Sequence, residues 1–238
     1  MIKHRRDRHH CRGFTLVEIL VVILIVAVLA TLSFSLAKNL RIQGNQAACV
    51  SNLRNIGTAL HIYAQENNGD FPETTHTNAM GQSWIYALEQ EIGNFNEIRI
   101  CPADPKRQER IEQSGSSYIL NSFIFVPEID PFGEPIGAPL NRISAIPEPS
   151  RTLLAFICAD SVGAGAGNDH THSERWSSWE AVCRDIAPGR HGGATGSDLR
   201  GSSNYLFADG HEENWKAIDV KRRVDGGENI ALPPGIER

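Results

Sequence analysis

The sequence predicts an α+β chain built on one very long amino-terminal helix, apolar enough for lipid in its first half and packed on an antiparallel sheet in its second. Three observations point there. Between Leu16 and Ala37 the only ionisable side chain is Glu18, and Ile19 to Leu32 is almost unbroken Ile, Leu, Val and Ala. Val50, Leu53, Ile56, Leu60 and Tyr63 then recur at spacings of three and four, as one face of a helix requires. Short runs rich in apolar and aromatic residues follow at 117–126, 151–159 and 203–207, separated by stretches rich in Gly and Pro.

The first element begins after a basic leader. Residues 1–13 carry Lys3, Arg5, Arg6, Arg8 and Arg12 against Asp7, a bias that keeps this end cytoplasmic and sends the carboxyl-terminal part outward. His4, His9 and His10 read as part of that solvated leader. At about 1.5 Å per residue, a helix from Leu16 to Ala37 is roughly 33 Å long, enough for a bilayer core of about 30 Å. A cleaved secretory signal usually has an apolar region of only about 7 to 15 residues, and Ser33 to Lys38 is a weak cleavage context. Glu18, in the first turn, either snorkels to the membrane surface or marks a functional contact.

The helix is expected to run from about Phe14 to about Asn67, with Arg54, Asn55, Gln65 and Glu66 on its polar side and Gly44 as a place for a bend. Asn67-Asn68-Gly69-Asp70-Phe71-Pro72 ends it with residues that tolerate left-handed backbone, followed by proline. The organisation is then a leader at 1–13, a membrane helix at 14–37, its exported continuation at 38–67 and a globular domain at 68–238. That domain is large enough for a core of its own.

Within it, Trp84 to Glu89 reads as a short surface helix, Ser117 to Val126 as a strand, and the proline-rich segment 127–150 as a loop. Arg151 to Ala159 reads as a second strand. Ser203 to Phe207 and Glu212 to Ile218 form a hairpin around Ala208-Asp209-Gly210-His211, with Gly210 supplying positive φ. Val162 to Ser202 is expected to be one long loop.

Gly13-Phe14-Thr15-Leu16-Val17-Glu18 after a short basic leader resembles the signal of type IV pilins and of the pseudopilins of type II secretion. The resemblance implies cleavage after Gly13 by a prepilin peptidase and methylation of the new amino terminus, Phe14. It also assigns Glu18 to the acid that pairs with a neighbouring subunit's terminal amine. Cys49-Val50-Ser51-Asn52-Leu53-Arg54-Asn55-Ile56-Gly57, Cys101-Pro102-Ala103-Asp104, Arg151 to Phe156 and Asn204 to His211 are similar to a branch of pilin-like proteins whose carboxyl-terminal motif is His, nine residues, Asp-Gly. Here that motif is carried by His191, Asp209 and Gly210. The spacing is longer than the motif's, the excess falling in the Gly-rich stretch Gly192 to Ser203, which puts direct contact between His191 and the Asp-Gly turn in doubt.

Four cysteines follow the leader, and an even number in an exported domain points to disulfides. Cys49 with Cys101 and Cys158 with Cys183 is the favoured pairing, with free buried thiols as the alternative. No two are close in sequence, so a zinc ribbon is not expected. His170, His172, His191 and His211 accompany Asp160, Asp169, Asp198 and Asp209, a set of metal-ligand types. Among them Asp160, Asp198 and Asp209 are candidates for Ca2+, the resemblance adding that some pseudopilins hold calcium in a carboxyl-terminal loop.

No Gly-x-Ser-x-Gly, phosphate-binding glycine loop or His-Glu-x-x-His is present, and an enzyme is not expected. A Cys158 or Cys183 nucleophile with His191 as base is disfavoured in an oxidised exported domain. The chain has 23 Lys and Arg against 28 Asp and Glu, and loss of the leader makes it more acidic still, so nucleic acid is not an expected partner. The resemblance implies a structural subunit anchored once in the inner membrane, with its domain outside. Its partners would be prepilin peptidase, membrane lipid, other pilin-like subunits and the secretion or pilus machinery. An anchored exported binding protein that never polymerises is the alternative.

Overall fold

The computed structural model describes residues 15–77, 81–127, 132, 136 and 140–236. Helix α1 spans Leu16–Glu66 without interruption, passing through Gly44 and Gly57. The chain divides into two compact units, Met1–Arg41 and Ile42–Arg238, so the second half of α1 belongs to the globular unit.

In the first unit the described large apolar side chains of α1, from Leu16 to Leu40, are exposed. This is the one helix among the described residues that is long and apolar enough to cross a membrane. In the second unit the helix turns one stripe inward. Cys49, Leu53, Ile56, Leu60 and Ala64 are all buried, and Asn68 and Gly69 close the helix with positive φ.

That stripe lies on a four-stranded sheet of order β1-β2-β3-β4, made of Tyr118–Leu120, Leu153–Ile157, Ser202–Phe207 and Glu212–Lys216. Each neighbouring pair is antiparallel. The fold is therefore α+β, a long helix plus an antiparallel sheet, with pilin-like architecture.

Both faces of the sheet are covered over β1 and β2, which explains why these strands read as continuous apolar runs and not as alternation. Tyr118, Leu120, Ala155, Ile157 and Leu206 join the α1 stripe in one core. Ile119, Phe156, Tyr205 and Phe207 point the other way, into a second core with Trp176, Val182, Ile186, Val220 and Val224. Leu153 faces the second core while Leu154 and Ala155 both face the first, at the register shift between β2 and β3.

The second core is supplied by helices where the sequence predicts strand or loop. Ser117 to Val126 is strand only at β1; Asn121 then accepts a hydrogen bond from Phe123 N and caps a short helix, α5, at Ser122–Phe125. A continuous apolar run does not distinguish a buried strand from a buried helix, and the cap decides. The long loop from Val162 to Ser202 contains α6, Trp179–Asp185, capped by the Ser178 hydroxyl accepting from Ala181 N. Strand β4 ends at Lys216, not Ile218, because Ala217–Asp225 is a helix, α7. Ala217, Val220 and Val224 of α7 face inward at helical spacing, and Asp219–Arg222 and Lys221–Asp225 pair on its outer side.

The remaining helices are short: α2 at Trp84–Ala87, α3 at Phe95–Ile98 and α4 at Arg107–Glu112. The first was expected at the surface, but Trp84 and Ile85 are fully buried, and the indole Nε1 donates to Asp169 O at 3.0 Å. Next to α4 lies a fully buried ion pair, Arg110 Nε to Asp104 Oδ2 at 2.7 Å. The Ser117 hydroxyl donates to the same carboxylate oxygen at 2.6 Å, and Arg110 Nη1 donates to Gly163 O at 2.8 Å. Such a pair holds because its other hydrogen bonds are made, and removing one partner leaves a bare buried charge.

Two substitutions test this packing. Asp104→Ala is expected to lower stability by about 3 to 5 kcal/mol, measured by urea unfolding of the chain in detergent with tryptophan fluorescence as the probe. An added Cβ at Gly57 would sit 2.9 Å from Leu206 Cδ1 and 3.7 Å from Gly210 O. Gly57→Val is therefore expected to cost about 1 to 3 kcal/mol by overpacking α1 against β3, whereas Gly57→Ala gains about 1 kcal/mol of helix propensity that offsets the contact.

Candidate functional site

The first candidate region is the start of α1. Thr15 and Glu18 form a reciprocal cap: Thr15 N donates to Glu18 Oε2 at 2.8 Å, and Glu18 N donates to Thr15 Oγ1 at 3.2 Å. The threonine hydroxyl also donates to Oε2 at 2.9 Å. This is a capping box, which satisfies two helix-end N–H groups that have no partner within the helix. The sequence Thr-x-x-Glu carried this signal, and reading Glu18 only for its charge overlooked it. A carboxylate held this way can exchange its own-chain donors for a stronger cationic one. Gly13 and Phe14, the expected cleavage and methylation positions, lie outside the described residues.

The second region is the carboxyl-terminal motif. His191 exchanges two backbone hydrogen bonds with Ser202 at the start of β3, 2.8 and 2.9 Å long. Asp209 and Gly210 follow the end of that strand, where Gly210 N donates to Phe207 O at 3.0 Å and Gly210 takes φ of +90°. The length of β3, roughly 20 Å for six residues, thus stands between His191 and the turn. Asp209 pairs instead with His211, whose Nδ1 lies 2.5 Å from Oδ1 and whose ring stacks on Phe207 at 4.2 Å. His211 Nε2 also lies 3.4 Å from Glu213. Burial opposes charging of this imidazole, but the bonds to Asp209 and Glu213 outweigh it and raise its pKa above the usual value.

The Gly-rich stretch after His191 is tightly folded. Gly189 N donates to Gly196 O at 2.7 Å, and a Cβ on Gly201 would come within 2.4 Å of Gly189 O, so only glycine fits there. Asp198 closes the stretch by accepting from Ala194 N, Arg200 N and the Arg200 guanidinium, which hold its carboxyl well below the usual range, Arg200 foremost.

Each of the three candidate calcium ligands is paired with a basic side chain. Asp198 is taken by Arg200, Asp209 by His211, and Asp160 by Arg190 Nη1 at 2.6 Å. His170 is buried against Asp169, with Nδ1 at 2.8 Å from its carboxylate, and His172 N donates to Asp185 at 2.7 Å.

What the fold does bring together is Cys49, Cys101 and His191. Their donor atoms lie within 4.8 Å of one another and all three side chains are buried. Cys49 comes from the inward stripe of α1, Cys101 from the turn after α3 that Asp104 N closes onto Cys101 O at 3.0 Å, and His191 from the bridge to β3. His191 Nε2 is 3.9 Å from Cys101 Sγ, and the Tyr118 hydroxyl donates to Cys49 Sγ at 3.6 Å. Burial opposes ionisation of Cys49, but contacts with Cys101, Asn204 and Tyr118 and the charge of Arg190 bring its pKa below normal. Cys101 is raised in turn, chiefly by its contact with Cys49. The sequence stripe was read as Val50, Leu53, Ile56, Leu60 and Tyr63, whereas the inward positions are Cys49, Leu53, Ile56, Leu60 and Ala64; Cys101 and His191 were each singled out in the sequence, but not as neighbours of one another.

All four described cysteines are free thiols. Burial pushes Cys158 up to about 12, and burial with the charge of Glu180 pushes Cys183 up to about 12. Both stay protonated near neutral pH, which is the wrong state for a nucleophile.

A family model described as the prokaryotic N-terminal methylation motif matches residues 8–34. Together with the long apolar helix, this match fits a type IV pilin-like prepilin signal and supports processing of the chain and anchoring in a membrane. No curated protein and no solved structure matches the chain.

The Asp209–His211 contact carries a pH prediction. Because the folded pKa of His211 is raised, its contribution is full below the unfolded value of about 6.5 and is lost as pH rises through the folded value. His211→Gln is therefore expected to reduce stability more at a pH of about 5.5 than at about 8.5, read from urea midpoints; equal losses at both would contradict it.

Proposed function

We propose that this chain is a pilin-like structural subunit of a type II secretion pseudopilus or type IV pilus-like filament, not an enzyme. The observation that carries the reading is the methylation motif over residues 8–34, which overlaps an apolar surface on α1 whose one ionisable side chain up to Ala37 is Glu18. Prepilin peptidase cuts after Gly13, and the new Phe14 amine is methylated. The chain then stays in the inner membrane through α1, with the domain on the outer side, until it joins a filament with other subunits and their assembly machinery.

The first turn of α1 supplies a mechanism for joining. In the separate chain the Glu18 carboxylate accepts from Thr15 N and Oγ1. In a filament of packed apolar helices, the terminal amine of a neighbouring Phe14 is a charged donor, and a charge-assisted bond is roughly twice as strong as a neutral one. The exchange pairs two charges that would each be costly in an apolar surrounding, and loss of either partner would cost about 3 to 5 kcal/mol. Thr15 helps hold the carboxylate at the helix start until that exchange.

Intact mass and amino-terminal sequencing of the membrane-extracted protein from its own cell are expected to show a chain beginning at methylated Phe14. A chain retaining Met1 would point instead to a permanently anchored protein, and one starting beyond Ala37 would end the filament reading. Glu18→Ala is expected to be processed normally yet to be lost from sheared or cross-linked filaments. Thr15→Val, which removes only the hydroxyl contacts, is expected to assemble.

A further inference from the structure

We propose that Cys49, Cys101 and His191 bind one zinc ion inside the domain, as two thiolates and one imidazole. The three residues lie far apart in sequence, on α1, on the turn after α3 and on the segment leading into β3, yet their donor atoms converge within 4.8 Å. A tetrahedral zinc ion with bonds of about 2.0 to 2.3 Å keeps its donors about 3.3 to 3.8 Å apart, and with three protein donors a water molecule takes its fourth position. The Cys101 Sγ to His191 Nε2 distance is 3.9 Å and all the donors lie within 4.8 Å, so a contraction of no more than about 1.5 Å across the cluster seats the ion.

The donor set selects the ion. Two thiolates and an imidazole are soft to borderline ligands, which favour zinc or copper(I) over the oxygen-seeking calcium and magnesium. Cys49 and Cys101 are 0 % exposed and His191 is 3 % exposed, so the net charge of the filled site stays in the interior. Zn2+ with two thiolates and a neutral imidazole is uncharged, whereas copper(I) leaves one negative charge buried. Binding displaces the two thiol protons to solvent and changes no oxidation state.

His191 separates this reading from a Cys49–Cys101 disulfide. Its Nδ1 is buried with no hydrogen-bond partner, and Nε2 faces sulfur alone. A disulfide would tie α1 to the Cys101 turn but leave the imidazole without a partner on either nitrogen, and buried polar atoms left so are costly. A metal uses the Nε2 lone pair, which places the ring proton on Nδ1 and gives at least one of the two buried nitrogens a partner. The Tyr118 hydroxyl, 3.6 Å from Cys49 Sγ, supplies the outer hydrogen bond that thiolate ligands commonly receive. The ion would then fasten the helix, the turn and the segment leading into β3 at one point, independently of whether the chain enters a filament.

The test uses the full chain in detergent, reduced, exposed to zinc chloride and freed of excess metal. Elemental analysis is expected to give one zinc per chain, and substitution by cobalt to give a thiolate-to-cobalt charge-transfer band. His191→Gln is expected to weaken zinc binding by at least about tenfold, while His211→Gln retains it. No bound zinc in the wild-type chain, or equal binding by a Cys49→Ser, Cys101→Ser double variant, would overturn the proposal. So would a chain isolated from its own cell that carries the Cys49–Cys101 bond, read as a mass lower by two hydrogens, and lacks metal. If His191→Gln does not fold, the wild-type stoichiometry and the cobalt spectrum decide alone.

Discussion

Contact between the inward stripe of α1 and one face of the sheet is the interaction on which the globular unit depends. Leu53, Ile56 and Leu60 are fully buried against Tyr118, Leu120, Ile157 and Leu206. Burial of one such side chain contributes about 1.5 to 3 kcal/mol, and a lone helix of ordinary composition has little stability of its own in water. The same contact explains why Gly57 stands against Leu206 of β3, where a Cβ would crowd it. The other face of the sheet needs its own cover, which α5, α6 and α7 supply.

Polar groups inside this fold are placed where backbone would otherwise be unsupported. Asn121 caps α5 and also donates to Leu153 O and Ala231 O, joining β2 to the last turn of the chain. Buried Arg99 donates to carbonyls at Arg110 and Gly115 and to the Asn96 side chain, while Asp104 and Arg110 bind the same region through Gly163 and Ser117. Irregular chain between α3 and β1 is thereby fixed by directed bonds in place of regular secondary structure.

The features legible in the sequence were those with a period or a local signature. The long helix followed from uninterrupted apolar residues and then from the spacing of Leu53, Ile56 and Leu60, and the hairpin followed from Asp209-Gly210. Boundaries failed where apolarity was continuous, since Tyr118 to Val126 gives the same pattern for a strand and for a buried helix until Asn121 chooses. Helix α6 was hidden by the glycines around it, although Ser178 before Trp179 was a readable start. The motif residues His191 and Asp209 could be found from sequence, but not their separation by β3 or the meeting of His191 with Cys49 and Cys101. That meeting depends on sheet register, which no short segment encodes.

Strand β4 is one edge of the sheet, and it carries Glu212, Glu213 and Lys216, of which Glu213 and Lys216 are exposed, with Arg54 of α1 bonded to Glu212. Chains confined to a surface through an apolar segment encounter their copies at high effective concentration. Under such crowding an uncharged edge would invite sheet-to-sheet zippering. Charge along β4 makes that route unfavourable, so copies of this domain can be densely arrayed while each sheet stays four strands wide.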